Sequence, residues 1–183
     1  MTAAHCPVAE LLSRYQPQGV VEAADVARTR LLVERTDDPW SRSNLLHMTA
    51  SALVVHPPTR RVLLRWHERV KSWLHVGGHG EPGETDPMAV AMREAHEETG
   101  LADLEPLPDA GVVHVAVVPV PADGDDPAHE HADLRFVLTT AQPDAAVAER
   151  PEAPLRWLSV PDARALTADD NVAETLSRVD ELL

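Results

Sequence analysis

Apolar residues recur at helical spacing through "VAELLSRYQ" and "VVEAADVARTRLLVERT", with Pro17 and Gly19 between them. This pattern predicts two helices within residues 1–45, closed by the turn formers of "TDDPWSRS". From His47 the period shortens. "MTASALVVH" and "RRVLLRWHE" flank "PPTR" and read as a β-hairpin. "SWLHVGG" reads as a third strand running into glycines, and a helix is expected over 87–99. "GVVHVAVVPV", "LRFVLTT" and "LRWLSV" read as further strands, with a long polar loop, "PADGDDPAHEHAD", before the second of them. "DDNVAETLSRVDELL" closes the sequence as an amphipathic helix with Asp169 or Asp170 as its N-cap. The sum is a mixed sheet covered by helices, an α/β class, preceded by an N-terminal helical extension over 1–45 and with the main domain over 46–183.

The length, 183 residues, suits one domain that buries its own core. Aromatic residues make up only 3%, so Ala, Val and Leu must build that core. A single cysteine, Cys6, excludes a disulfide framework and fits a reducing compartment. No long apolar run and no signal-peptide pattern is present, so no membrane contact is expected and the cytoplasm is the default location. The formal charge of −14, with Lys71 as the one lysine, argues against nucleic acid as a partner. An anionic small molecule would need a cation to meet it.

The stretch Gly77–Leu101, "GGHGEPGETDPMAVAMREAHEETGL", concentrates that charge. Asp86 is a suitable N-cap, Pro87 suits the first helical position, and Gly100 suits the helix end. Met88, Ala91, Met92 and Ala95 form an apolar stripe beside Glu94, Glu97 and Glu98. Like charges three and four residues apart cost about 0.2–0.5 kcal/mol per pair. These three also sit at the helix end that the macrodipole makes unfavourable for anions. A solvated helix face would more naturally carry lysine or arginine there. Carboxylates gathered in this way suit Mg²⁺ or Mn²⁺, hard ions that also bind phosphates. The glycine loop Gly77, Gly78, Gly80 and Gly83 can bring backbone groups to a metal or a phosphate.

These residues resemble the signature of the Nudix hydrolases, G-x5-E-x7-R-E-U-x-E-E-x-G-U, where U is a bulky aliphatic. Gly78 and Glu84 match its first part; Arg93, Glu94, Glu97, Glu98, Gly100 and Leu101 match its second. Eight residues separate Glu84 from Arg93 instead of seven, and Ala95 stands where a larger aliphatic is usual. The resemblance implies a Nudix-like α/β/α sandwich with a mixed sheet. It further implies a Mg²⁺- or Mn²⁺-dependent hydrolase of a diphosphate bond in a nucleoside diphosphate-linked or nucleotide substrate. Glu94, Glu97 and Glu98 would hold metal with a carbonyl near Gly78, and one carboxylate or a neighbour would activate water. Arg93 is counted with the catalytic set, although in the family it and Glu84 more often tie loop to helix. Dimers are common in the family, and residues 1–45 are candidates for a homodimer interface.

The ten histidines add a second set of candidates. His47 and His79 are candidates for further metal ligands because the isopentenyl diphosphate isomerases, which share the fold, carry a histidine at a strand start and another in a "CGH" stretch. Here "GGH" puts Gly77 in place of that family's catalytic cysteine, which weighs against isomerisation. His129 and His131 in "HEHADLR", with Arg135, are candidates for a substrate wall, since arginine's forked donors suit phosphate. The bland alternative for Arg135 is a pair with a nearby carboxylate. Trp66 and Trp73 are candidates for stacking on a base or, equally, core plugs. A non-catalytic nucleotide-sensing domain is the other alternative, and the retained glutamates count against it.

Overall fold

The structure is a computed structural model and describes residues 7–183; Cys6 lies outside the described residues. Helices α1 (Pro7–Arg14) and α2 (Gly19–Arg35) lead into β1 (Leu46–His56). There follow β2 (Arg61–His67), β3 (Ser72–Leu74), β4 (Val76–His79), α3 (Pro87–Thr99), β5 (Glu105–Pro106) and β6 (His114–Val120). The chain continues through β7 (His129–Thr139), β8 (Leu155–Ser159), α4 (Val160–Leu166) and α5 (Asp170–Leu182). The strands form one mixed sheet with helices on both faces, the α/β/α arrangement expected.

The parallel pair β1 and β7 is the spine, in register from Leu46↔Glu130 to Val55↔Thr139. Side chains alternate across a strand, so each strand shows two faces. On one face Met48, Ala50, Ala52 and Val54 join Ala132, Leu134, Phe136 and Leu138, and all are buried with residues of α1, α2 and α3. The opposite face changes character along its length. Leu53, Val55 and Val137 are apolar and pack with Val172, Leu176 and Val179 of α5 and Val160 and Ala163 of α4. Before them stand His47, Thr49 and Ser51, in register with His131, Asp133 and Arg135. Polar side chains thus form three cross-strand rows toward the N-terminal ends of the spine.

The sheet also divides there. Strand β1 pairs with β2 through Val54–His56 but with β4 through Thr49–Ala52. Meanwhile β2 continues to β3 through Arg65–His67. A cavity of about 220 Å³ occupies this region, lined by Thr49, Ser51, Arg65, His75, Gly77 and Glu98 among others.

Several sequence expectations change in detail. "SWLHVGG" is two strands, because His75 marks the switch from pairing with β2 to pairing with β1. The polar loop after β6 is shorter than expected: "HEHAD" is strand, drawn into the ladder by β1, and its polar residues line the face just described. The hairpin turn is a 3-10 turn over Pro57–Thr59 with Arg60 left-handed at φ 50°. Helix α4 has no counterpart among the expected elements; its N-cap is Ser159, whose hydroxyl accepts from Asp162 N.

The N-terminal helices are tied into the same core. Val8, Leu12, Val26 and Leu32 are buried with the spine. Glu22 of α2 is 3% exposed and accepts from Val115 N of β6 at 3.0 Å and from Arg178 Nη1 of α5 at 2.8 Å.

Candidate active site

Helix α3 begins and ends as its sequence requires. Asp86 accepts from Met88 N, Pro87 occupies the first turn, and Gly100 is left-handed at φ 66° with its N–H on His96 O. Val90, Ala91 and Ala95 face the core, while Met88 and Met92 are only partly buried. That orientation brings Glu94 and Glu98 against β4. Gly78 leaves room for Glu94, and Gly77 lets β4 lie close against β1. A Cβ on Gly78 would stand 2.8 Å from the Glu94 carboxylate, and one on Gly77 would stand 2.5 Å from Ser51 Cα.

Two arginines answer the acidic cluster from opposite sides. Arg93 donates through Nε and Nη2 to both oxygens of Glu84 at 3.1 and 3.0 Å, and through Nη2 to His79 O at 2.9 Å. Its Nη1 bridges Glu94 at 2.9 Å and Glu97 at 3.1 Å. Arg93 and Glu84 therefore bind loop to helix despite the extra residue between them. Glu98 points the other way, into the 220 Å³ cavity, with Arg65 Nη1 at 3.2 Å and Gly77 N donating at 3.1 Å.

These partners do not fully compensate the buried carboxyls. Burial pushes Glu98 up to about 7, against the opposing pull of Arg65 and the Gly77 N–H. Burial also raises Glu94, although Arg93 opposes it. Carboxyls in this condition fit a divalent cation, which would hold them ionised. The like charge is thus only partly neutralised by arginine.

A second polar network underlies the cavity. Asp133 is buried and accepts from Thr49 Oγ1 at 2.9 Å, Ser51 Oγ at 2.7 Å and Arg135 Nε at 2.8 Å, with His75 Nε2 at 3.4 Å. Burial alone would raise its pKa, but the His75 hydrogen bond and the Arg135 charge hold it well below the usual carboxylate range. Arg135 gives its remaining donors to Asn171 and Thr175 of α5. It is 2% exposed, so it serves as a buried partner of Asp133 rather than as an open phosphate clamp. Trp73 does not line the cavities around the site; it meets Trp66 edge-on at 5.7 Å and lies under Arg156 at 5.0 Å.

Beside these groups His47, His79, His129 and His131 converge. Nε2 of His79 is 3.1 Å from that of His47 and 3.2 Å from that of His131, which is 3.2 Å from that of His129. Burial lowers His79 to about 3 and His131 to about 4, so these rings are neutral near pH 7. His79 lines the Glu98 cavity, a 470 Å³ cavity bounded by His47 and His129, and the opening onto Glu94 and Glu97.

Arg65, His75 and Asp133 are site residues that the sequence reading does not single out. A signal is present for Arg65 and His75, each a polar residue between apolar neighbours, whereas Asp133 stands in the polar run "HEHADLR" and is not set apart there. Arg65 Nε, His67 Nδ1 and His75 Nδ1 are buried without a hydrogen-bond partner, and all three residues line the Glu98 cavity.

Comparison with known proteins agrees with this geometry. The NUDIX domain profile matches residues 45–179, and the chain belongs to that family. A protein of Lactococcus lactis subsp. cremoris (strain MG1363) named "Probable DHNTP pyrophosphohydrolase" is 32% identical over 108 residues. That match spans 58% of this chain and 61% of the relative's length. Among solved structures, the E. coli dihydroneopterin triphosphate pyrophosphohydrolase aligns with TM-score 0.57 at 20% identity, covering 74% of this chain and 96% of the other. A C. elegans Ap4A hydrolase binary complex aligns with TM-score 0.59 at 18% identity, with the same coverage. At these identities the structural matches speak to the fold.

Proposed function

We propose that this protein is a divalent-metal-dependent pyrophosphohydrolase acting on a small nucleotide-like triphosphate, a class that includes pterin triphosphates. The observation that carries the reading is Glu98: a buried carboxyl pushed up to about 7, facing a cavity beside Gly77 and Gly78. Glu94, Glu97, Glu98 and the carbonyl of Gly78 would hold Mg²⁺ or Mn²⁺. Such ions, when bound, neutralise phosphate charge and lower the pKa of bound water. The chain's own groups supply the rest. Arg93 holds Glu84, Glu94, Glu97 and the His79 carbonyl in one frame, which fixes where the carboxylates stand. Arg65 beside Glu98 offers an unpartnered buried N–H to an anion in the cavity. Positioning and charge stabilisation account for most of what phosphoryl chemistry asks of a protein. The substrate class follows the name of the Lactococcus relative. Glu98 is our choice for the carboxylate most sensitive to substitution.

The isomerase alternative finds no support at Gly77. A Cβ there meets Ser51 Cα at 2.5 Å and Ala50 O at 2.6 Å, so the backbone leaves no room for a cysteine. Among the described residues no helix is long and apolar enough to cross a membrane. The single cysteine is the support for a cytoplasmic setting.

The test is product release from dihydroneopterin triphosphate, canonical and oxidised nucleoside triphosphates, dinucleotide polyphosphates and ADP-ribose, each with Mg²⁺, Mn²⁺ or EDTA. Metal-dependent pyrophosphate release from a triphosphate, lost in Glu98→Gln, is the expected result. Turnover confined to ADP-ribose would overturn the substrate class. Turnover on none of them, with metal bound, would favour the sensing role.

A further inference from the structure

We propose that His47, His79 and His131, with His129 beside them, form a second metal site that takes a nitrogen-loving divalent ion of the zinc class. It is distinct from the glutamate site in its residues and in its ligand chemistry. One ring nitrogen from each of His47, His79 and His131 lies within 4.8 Å of the others.

Proton positions point to a cation. His47 Nδ1 lies 2.9 Å from Asn44 O and His129 Nδ1 lies 2.8 Å from Pro127 O. A carbonyl only accepts, so both Nδ1 atoms carry the proton and both Nε2 atoms present lone pairs. The close contact of His47 with His79 then needs a proton on His79 Nε2, and that of His129 with His131 needs one on His131 Nε2. Those two protons would face each other across the 3.2 Å contact between His79 and His131. No arrangement of neutral tautomers satisfies all three contacts. A cation resolves the conflict, because the Nε2 lone pairs of His47, His79 and His131 can turn toward it once Nδ1 is protonated in those rings.

The spacing suits such an ion. Tetrahedral zinc with nitrogen at about 2.0–2.1 Å has ligand–ligand edges of about 3.3–3.4 Å. The two close contacts within the trio, His47–His79 at 3.1 Å and His79–His131 at 3.2 Å, fall just inside that value. The outer support is of the expected kind as well. Metal-bound imidazoles usually give their second N–H to a carbonyl or carboxylate. His47 and His129 do so, and Asp126 Oδ1 lies 3.6 Å behind His129 Nδ1. Imidazole favours zinc, cobalt, nickel or copper over magnesium, whereas the glutamates favour the reverse. The site joins the N-terminal ends of β1 and β7 to the end of β4. A cation there would stabilise the fold and place positive charge where the Glu98 cavity and the 470 Å³ cavity meet at His79.

Metal-free full-length protein would be titrated with Co²⁺ and with Zn²⁺ in the presence of millimolar Mg²⁺. The expected result is one tight equivalent per chain, a visible cobalt spectrum of low symmetry and a higher Tm. His47→Asn with His131→Asn removes two ligands and should weaken binding by more than the roughly 10–100-fold that loss of an outer hydrogen-bond partner costs. Glu98→Gln should bind as the wild type does, which separates this site from the hydrolytic one. X-ray absorption on the zinc-loaded wild type needs no variant, and a shell of imidazole nitrogens is expected. Zinc binding no tighter than in the double variant, binding lost in Glu98→Gln, or an oxygen-only shell would each overturn the proposal.

Discussion

Glu22 and Glu98 are both buried glutamates beside an arginine, and they behave in opposite ways. Glu22 accepts from Tyr15, from the Gln18 and Val115 amides and from Arg178. Burial would raise its pKa, but these donors, led by Arg178, lower it instead. Glu98 has one amide and an arginine at 3.2 Å, and burial prevails. Glu22 collects four donors where Glu98 has two, and burial weighs more heavily on Glu98. A fully satisfied buried carboxylate acts as a fastener for α2, β6 and α5. An under-satisfied one facing a cavity is where the proposed function would place a cation.

Substitution at each glutamate should separate the two roles. Glu98→Gln should lower hydrolysis on the order of 10²–10³-fold, the scale at which removing one stabilising group from a reaction centre acts. Its Tm should change little, as seen by calorimetry. Glu22→Ala should do the reverse. Arg178 loses its buried carboxylate but keeps Glu174 and Val113 O, so the cost should be about 3 kcal/mol by denaturant titration, the lower end for breaking a buried pair, with activity per folded molecule retained.

Gly78→Ala gives an intermediate case. The added Cβ would stand 2.8 Å from the Glu94 carboxylate, which must shift against its bond to Arg93, so stability should fall by about 1 kcal/mol while Mg²⁺ affinity falls measurably. The effect that is smallest at neutral pH, and grows as pH falls, concerns protonation. Burial lowers His114 to about 3 in the folded protein, against about 6.5 unfolded. The unfolded chain then binds more protons between these values. His114 contributes stability above about pH 6.5 that is lost as pH falls toward 3, at up to about 1.4 kcal/mol per pH unit. His114→Gln should flatten that part of the stability–pH curve.

Much of this is legible in the residues, and for identifiable reasons. Helix α3 announces itself because Asp86, Pro87 and Gly100 are local signals that need no tertiary partner. The glutamates are legible because like charge at i and i+4 violates a local rule. The roles of His75, Asp133 and Arg135 are not, because they depend on β1 and β7 pairing in parallel across more than 80 residues of sequence. The same pairing turns "HEHAD" from expected loop into strand and brings His131 to His47. The residues leave Arg135 open between a phosphate ligand and a partner of a nearby carboxylate, and its bond to Asp133 supplies the second.

Titration of the Glu98 side-chain carboxyl by carbon-13 NMR, with and without saturating Mg²⁺, bears on all of this at once, with Glu22 as an internal reference. The expected outcome is a Glu98 midpoint near 7 without the ion, a fall of well over one unit with it, and a Glu22 midpoint that stays low in both. A Glu98 midpoint that is already low, or that Mg²⁺ leaves unmoved, would remove Glu98 from the role of poised metal ligand.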